Sequence, residues 1–202
     1  MSSRHLLYLI LLGPWTTRLT LSFFLRSPEL TKRNALLSDL NDLIQRSDNA
    51  PLAADKEGQI KALMMDISKF RQGDQRLALP AQWELLYTTE KEINFFKYNW
   101  PFAKVSTIRQ DIDPYQRCTV NNVISFEGGG EFAVTGSVVV AVDESTEYDR
   151  VNFEFTKAVV RGWGRELSIP PVGAGWFETL YCDDEYRLSR DSRGDWSVFQ
   201  KL

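Results

Sequence analysis

The residues with the most chemical potential crowd into one stretch near the C-terminus, GWFETLYCDDEYRLSRDSRGDW, Gly175–Trp196, with three consecutive acids, three arginines, two tyrosines and a cysteine. As a metal site, Asp183, Asp184 and Glu185 lack the ligand spacing and the glycine of a calcium loop. As a catalytic carboxylate pair they would need burial to drive their pKa values apart. They lie between an alternating run ending at Tyr181 and another starting at Tyr186, where a hairpin turn belongs, so the acids read as a solvated turn. The arginines carry more information. Alternation puts Arg187 on one face with Glu185 and Ser189, and Tyr186, Leu188 and Arg190 on the other. One of Arg187 and Arg190 therefore turns inward, where an unpaired charge is costly unless an aromatic face or a carboxylate meets it.

Other chemistry is limited by what the chain lacks. Its single histidine is His5, inside an N-terminal segment that reads as a removable leader, so no imidazole remains for a Ser-His-Asp triad, a Cys-His dyad or a histidine zinc site. Cys118 and Cys182, 64 positions apart, are too few for a four-thiolate zinc site and form no C-x-x-C pair. Two small buried thiols and a mutual disulfide both fit them. The glycines of FEGGGEF, Phe126–Phe132, are followed by no Lys-Ser/Thr and no helix, so they make a hairpin and not a phosphate loop. RGWGRE around Trp163 fits a lip over a cavity and a strand terminus equally. No metal and no cofactor is expected.

The elements that must position these residues come in three blocks. Of 202 residues, 43% are apolar and 12% aromatic, enough for a packed core. A net charge of -3 gives nucleic acid no basic face to bind. Residues 1–28 contain no Asp or Glu, and a short apolar run, Leu6–Leu12, precedes a Ser/Thr/Arg-containing stretch, the pattern of a signal followed by a transit peptide. Removing its three arginines takes the charge from -3 to -6. Residues 29–79 are helical: Leu36, Leu40, Leu43 and Ile44 form one stripe, and Ile60, Leu63, Met64, Ile67 and Phe70 another, broken by Pro51. Their polar faces carry mixed charge, which favours packing on the domain over lying on a lipid surface. From residue 80 to 202 the period is two, with about eight strand-length runs at turn-bounded intervals and no helix-length pattern between them. The fold class is mainly β, an antiparallel barrel of about eight strands preceded by two amphipathic helices, with an interior able to hold one small ligand.

QWELLYTTE (Gln82–Glu90), VSTIRQDID (Val105–Asp113), VNNVISF (Val120–Phe126) and the Gly175–Asp195 stretch together resemble the plastid lipid-associated protein family, also called fibrillins or plastoglobulins, over about Leu30–Leu202. Trp83, Tyr87 and Thr88 match the first motif, and Gly175, Trp176, Phe177, Tyr181, Asp183, Arg187 and Arg190 the last; Cys182 stands where the family usually has an aliphatic residue. The resemblance implies a lipocalin-like barrel, residence on thylakoids or plastoglobules in the plastid, and non-enzymatic binding of prenylquinones, carotenoids or acyl lipids. Ligand-contacting residues expected on this basis are Trp83, Tyr87, Phe126, Phe153, Phe155, Trp163, Trp176, Tyr181, Arg187 and Arg190, with register deciding between Phe153 and Phe155 and the inward arginine stacking on Trp83. Two rivals are a scaffold docking a prenyl-lipid enzyme or photosynthetic complex, and an isomerase or lyase using a buried carboxylate, Glu154 or Glu178.

Overall fold

Strands of alternating apolar and polar residues need one covered face, and this chain covers it by closing the sheet on itself. The computed structural model describes residues 28–46, 54–141, 147–162, 164–170 and 173–202. Residues 1–27 of the expected leader, Pro51 and Trp163 lie outside them. Nine strands are described: β1 (Ala81–Thr88), β2 (Val105–Asp113), β3 (Thr119–Phe126), β4 (Glu131–Val140), β5 (Asp149–Gly162), β6 (Arg165–Ile169), β7 (Ala174–Cys182), β8 (Tyr186–Asp191) and β9 (Trp196–Lys201). All pairings are antiparallel, and β4 pairs with β5 from Glu131↔Arg161 to Val140↔Val151. That contact closes eight strands into a barrel, β1-β2-β3-β4-β5-β7-β8-β9 and back to β1, leaving β6 as a hairpin extension of β5. Closure removes the free edges that would otherwise template association.

The two leading helices, α1 (Pro28–Gln45) and α2 (Ala54–Ser68), pack on the outside of this barrel. Leu37, Leu40 and Ile44 from α1 and Ile60, Met64 and Ile67 from α2 are buried against Leu180, Tyr181, Tyr186, Leu188 and Val198 of β7, β8 and β9. The outer face of these three strands is therefore apolar and covered, while the inner one carries Arg187, Ser189 and Ser197 beside Phe177 and Phe199. A second core fills the barrel: Leu79, Trp83, Ile112, Val120, Val138, Val151, Phe177, Cys182 and Phe199.

Two elements escape the sequence pattern. A third helix, α3 (Lys91–Asn99), separates β1 from β2 where no helix was expected. It has nine residues and none is fully buried, so it imposes no clear apolar stripe. β6 was also missed, because four of its five residues are exposed and show no alternation. The glycine triplet forms the expected hairpin, with Gly128, Gly129 and Gly130 at φ of 82°, 88° and 120°. Cys118 and Cys182 are both free; Cys182 is buried, but Cys118 is exposed in the β2–β3 turn, which corrects the expectation of two buried thiols and excludes their disulfide in this fold.

At Gly136 β4 runs tight against β5, beside a register shift between Thr135 and Gly136. A Cβ there would stand 2.4 Å from the Glu154 carbonyl oxygen, and neither backbone can move without opening the closure pair. Gly136→Ala is expected to destabilise the fold by ~1–3 kcal/mol, the range of an overpacked site. A urea-denaturation midpoint indistinguishable from wild type would contradict this account of the seam.

Candidate functional site

The barrel interior is packed at one end and hollow at the other. At the packed end a short 3₁₀ turn, Gln75–Ala78, leads into Leu79, whose carbonyl accepts a 3.0 Å hydrogen bond from the Trp83 indole N–H. The Gln75 side-chain oxygen accepts from the Cys182 backbone N–H at 2.7 Å, tying this turn to the end of β7. Burial raises the Cys182 thiol to about 12, so it is inert.

Arg187 lies immediately above this plug, 1% exposed. Its guanidinium carbon is 4.0 Å from the Phe199 ring centre, 5.4 Å from Trp83 and 5.5 Å from Phe177. Cation–π contacts of this kind contribute ~0.5–2 kcal/mol each. One Nη2 hydrogen bond goes to the Gln110 side-chain oxygen, and Gln110 is itself fixed by donating to Asn122 at 2.8 Å. Nε and Nη1 have no partner among the described residues. Burial lowers the Arg187 pKa to about 10, which still leaves the group charged near neutrality.

Beyond Arg187 the interior holds two adjoining chambers. The inner one, about 240 Å³, is bounded by Arg187, Phe153, Phe155, Phe177, Ser189 and Ser197. The outer, about 350 Å³, runs past Leu85, Ile93, Ile124, Phe132, Val134 and Ile169. They share Gln110, Asn122, Phe155, Phe199 and, at the mouth, Glu90 and Arg193. The α3 helix lies at this mouth, held by Asn94 donating to the Thr88 carbonyl. Phe96 stacks on Phe132 with centres 5.7 Å apart, and Trp100 stacks on Phe126 at 6.4 Å. Phe95 and Phe102, 46% and 75% exposed, continue this aromatic cluster outward.

Of the residues expected to contact a ligand, Trp83, Phe126, Phe153, Phe155 and Arg187 come together on the interior or its rim. Phe153 and Phe155 both point inward, rings 5.0 Å apart, because the register runs without a shift from Val151 to Phe155. Tyr87 and Tyr181 do not join them. Strict alternation from Trp83 and from Phe177 would send each inside, but a register shift between Leu85 and Tyr87, and another between Thr179 and Tyr181, exchanges the faces. Both tyrosines pack in the outer core beneath the helices. Trp176 and Arg190 are likewise exterior: Arg150 covers the Trp176 ring at 4.0 Å, and Arg190 bonds Glu178 at 2.7 Å. Trp163 lies outside the described residues.

The proposed acid–base candidates fail on position. Glu178 is buried on the outer face, and although burial alone would raise its pKa, hydrogen bonds from Arg150 and Arg190 hold it below the ordinary carboxylate value. Glu154 is exposed. The acid turn is a turn: Asp183 Oδ1 accepts from the Glu185 and Tyr186 backbone N–H groups, and Oδ2 from the Tyr181 hydroxyl at 2.6 Å. Among the described residues no three His, Cys, Asp or Glu side chains converge as a metal site. Three carboxylates line the chambers, Glu90, Glu92 and Asp191; Glu90, which borders both, ends the first motif and went unnoticed because nothing in its spacing separates it from the strand-end polar residues around it.

Glu90 pairs with Arg193 at 3.0 Å, and Arg193 also meets Glu92, Asp191 and Asp195 at 3.0, 3.5 and 3.7 Å. Burial raises the Glu90 pKa from 4.5 to about 7 against the pull of Arg193, with Asp191, Asp195 and Glu92 adding to the rise. A raised folded-state pKa contributes stability that is full below the unfolded value and is lost as pH rises through the folded one. Thermal melts should therefore show Glu90→Gln gaining on wild type between pH 4.5 and about 7. A melting-temperature difference constant across that window would refute the assignment.

Comparison with known proteins follows the same lines as the geometry. A family model described as PAP_fibrillin matches residues 54–200. The chain is 40% identical over 126 residues to the probable plastid-lipid-associated protein 11, chloroplastic, of Arabidopsis thaliana, a match covering 61% of this chain and 57% of that relative. The aligned part thus spans little more than half the relative's length. No solved structure matches.

Proposed function

Because the chain belongs to the PAP_fibrillin family, we propose that it is a non-enzymatic plastid lipid-associated protein whose barrel holds a hydrophobic small molecule, a prenylquinone, carotenoid or acyl lipid. The observation that carries this reading is the pair of adjoining chambers inside the barrel, the larger one walled mostly by apolar side chains and lying beside the aromatic cluster of α3. Together they fall in the ~300–1,000 Å³ range of small-molecule sites. Each Å² of apolar ligand surface taken from water there contributes ~25 cal/mol. Phe153, Phe155 and Arg187 are the contacts from the expected set that fit this role; Trp83 supports Arg187 from the plug, and Phe126 packs on Trp100 at the rim.

The mouth is the surface proposed to rest on a thylakoid or plastoglobule. Phe95 and Phe102 project from it, Leu167 of β6 is 63% exposed, and Lys97 and Lys104 flank the aromatics in sequence. Amphipathic cations beside projecting rings suit a lipid interface with anionic headgroups. No helix among the described residues is long and apolar enough to cross a membrane. In this reading residues 1–28 are the two-part leader that delivers the protein to the plastid, residues 29–79 clamp the barrel from outside with two helices and plug one end of it with the turn leading into Leu79, and residues 80–202 carry the ligand.

Two measurements test the proposal. Tryptophan fluorescence of the chain from residue 29 onward should be quenched saturably by a plastoquinone analogue or a carotenoid. Flotation with galactolipid vesicles containing an anionic lipid should weaken about tenfold or more in the Phe95→Ser, Phe102→Ser double variant, the loss expected when two rings no longer leave water. No quenching by any lipid class, with co-purification of a stoichiometric protein partner, would favour the docking-scaffold alternative instead.

A further inference from the structure

We propose that Arg187 is an anion anchor, and that the barrel takes a single-chain amphiphile head first, its monoanionic carboxylate deep against Arg187 and its hydrocarbon tail running to the mouth. The inference rests on the reading that the barrel holds a hydrophobic small molecule, and it specifies which class.

The argument starts from unbalanced charge. Arg150 and Arg190 share Glu178, and Arg193 is surrounded by four acids. Arg187 is more buried than any of these yet meets no carboxylate among the described residues. Aromatic faces and the Gln110 oxygen satisfy part of the guanidinium, but Nε and Nη1 remain unpartnered donors. A buried cation left this way is unfavourable unless an anion completes it. The chamber supplies the room: Arg187 lines it together with Ser189 and Ser197, and the two acids that also border it, Glu90 and Asp191, are each held by Arg193.

The shape then selects the ligand. The inner chamber, about 240 Å³, accommodates a small head and the start of one chain, and the larger chamber beside it offers a tail the apolar side chains of Phe155, Ile124, Phe132 and Ile93 among a minority of polar ones such as Gln110 and Asn122. One cation calls for one negative charge, as on a carboxylate. A quinone or ester carbonyl would accept a hydrogen bond and leave the charge uncompensated, and a charge-assisted bond is roughly twice as strong as a neutral one.

Displacement of the neutral probe N-phenyl-1-naphthylamine from the wild-type protein at pH 8, by oleate, oleyl alcohol and methyl oleate, separates the possibilities. Oleate should displace the probe at a concentration about tenfold or more below the other two, the effect of about one charge-assisted hydrogen bond. In Arg187→Met this preference should vanish while the probe still binds, and Arg187→Lys should keep part of it. If Arg187→Met does not fold, the carboxyl carbon of 13C-labelled oleate bound to wild type decides: it should titrate below the pH at which oleate in vesicles does. Equal displacement by all three ligands, or a bound carboxyl that titrates as in vesicles, overturns the anchor and leaves the broader reading standing. Failure of the probe and of all three ligands to bind overturns both.

Discussion

A buried guanidinium with no acid beside it sets the terms for the rest of this barrel. Arg187 is held by the faces of Phe199, Trp83 and Phe177 and by one oxygen of Gln110, groups contributed by β9, β1, β7 and β2. These strands and β8 itself form one unbroken run of the sheet, β2-β1-β9-β8-β7, whose curvature brings their inner faces around the guanidinium. The β4–β5 seam closes the barrel on the opposite side, and the 3₁₀ turn that leads into Leu79 plugs it beneath Trp83. The hollow above Arg187 lies between the plug, the charge and that far wall.

The outer face is built on a different logic. β7, β8 and β9 present Leu180, Tyr181, Tyr186, Leu188 and Val198 outward, so they need a second cover, and α1 and α2 provide it with Leu40, Ile60, Met64 and Ile67. Burying this face with helices leaves the other wall and the mouth open to different partners. The Arg193 cluster and the α3 aromatics occupy that mouth, so the loops that connect β1 to β2 and β8 to β9 meet where a ligand would enter.

Much of this arrangement was legible in the chain. The period of two after residue 80, the helical stripes before it and the hairpin glycines each encode a local geometry that the tertiary structure keeps. The parity of Arg187 and Arg190 narrowed the inward cation to two, and the structure chose Arg187 because Arg190 lies opposite Glu178 on the outer face. What could not be read were the two bulges. A single extra residue at Leu86 and at Leu180 reverses the faces of Tyr87 and Tyr181, and no composition signal marks either one. The short α3 and the exposed β6 were invisible for a related reason: neither buries enough to impose a pattern. Glu90 was missed because its burial comes from α3 and the β8–β9 hairpin, both distant from it in character or in sequence.

The central claim is that the hollow above Arg187 is a binding site and not a packing defect. The most direct measurement is mass spectrometry of organic extracts from the protein purified natively out of plastid membranes, with an Arg187-bearing barrel that has never been unfolded. The account predicts a narrow set of single-chain hydrophobic molecules in stoichiometric amounts, lost on denaturation. Protein that carries only trace, unselective membrane lipid, in the proportions of the bulk membrane, would contradict it.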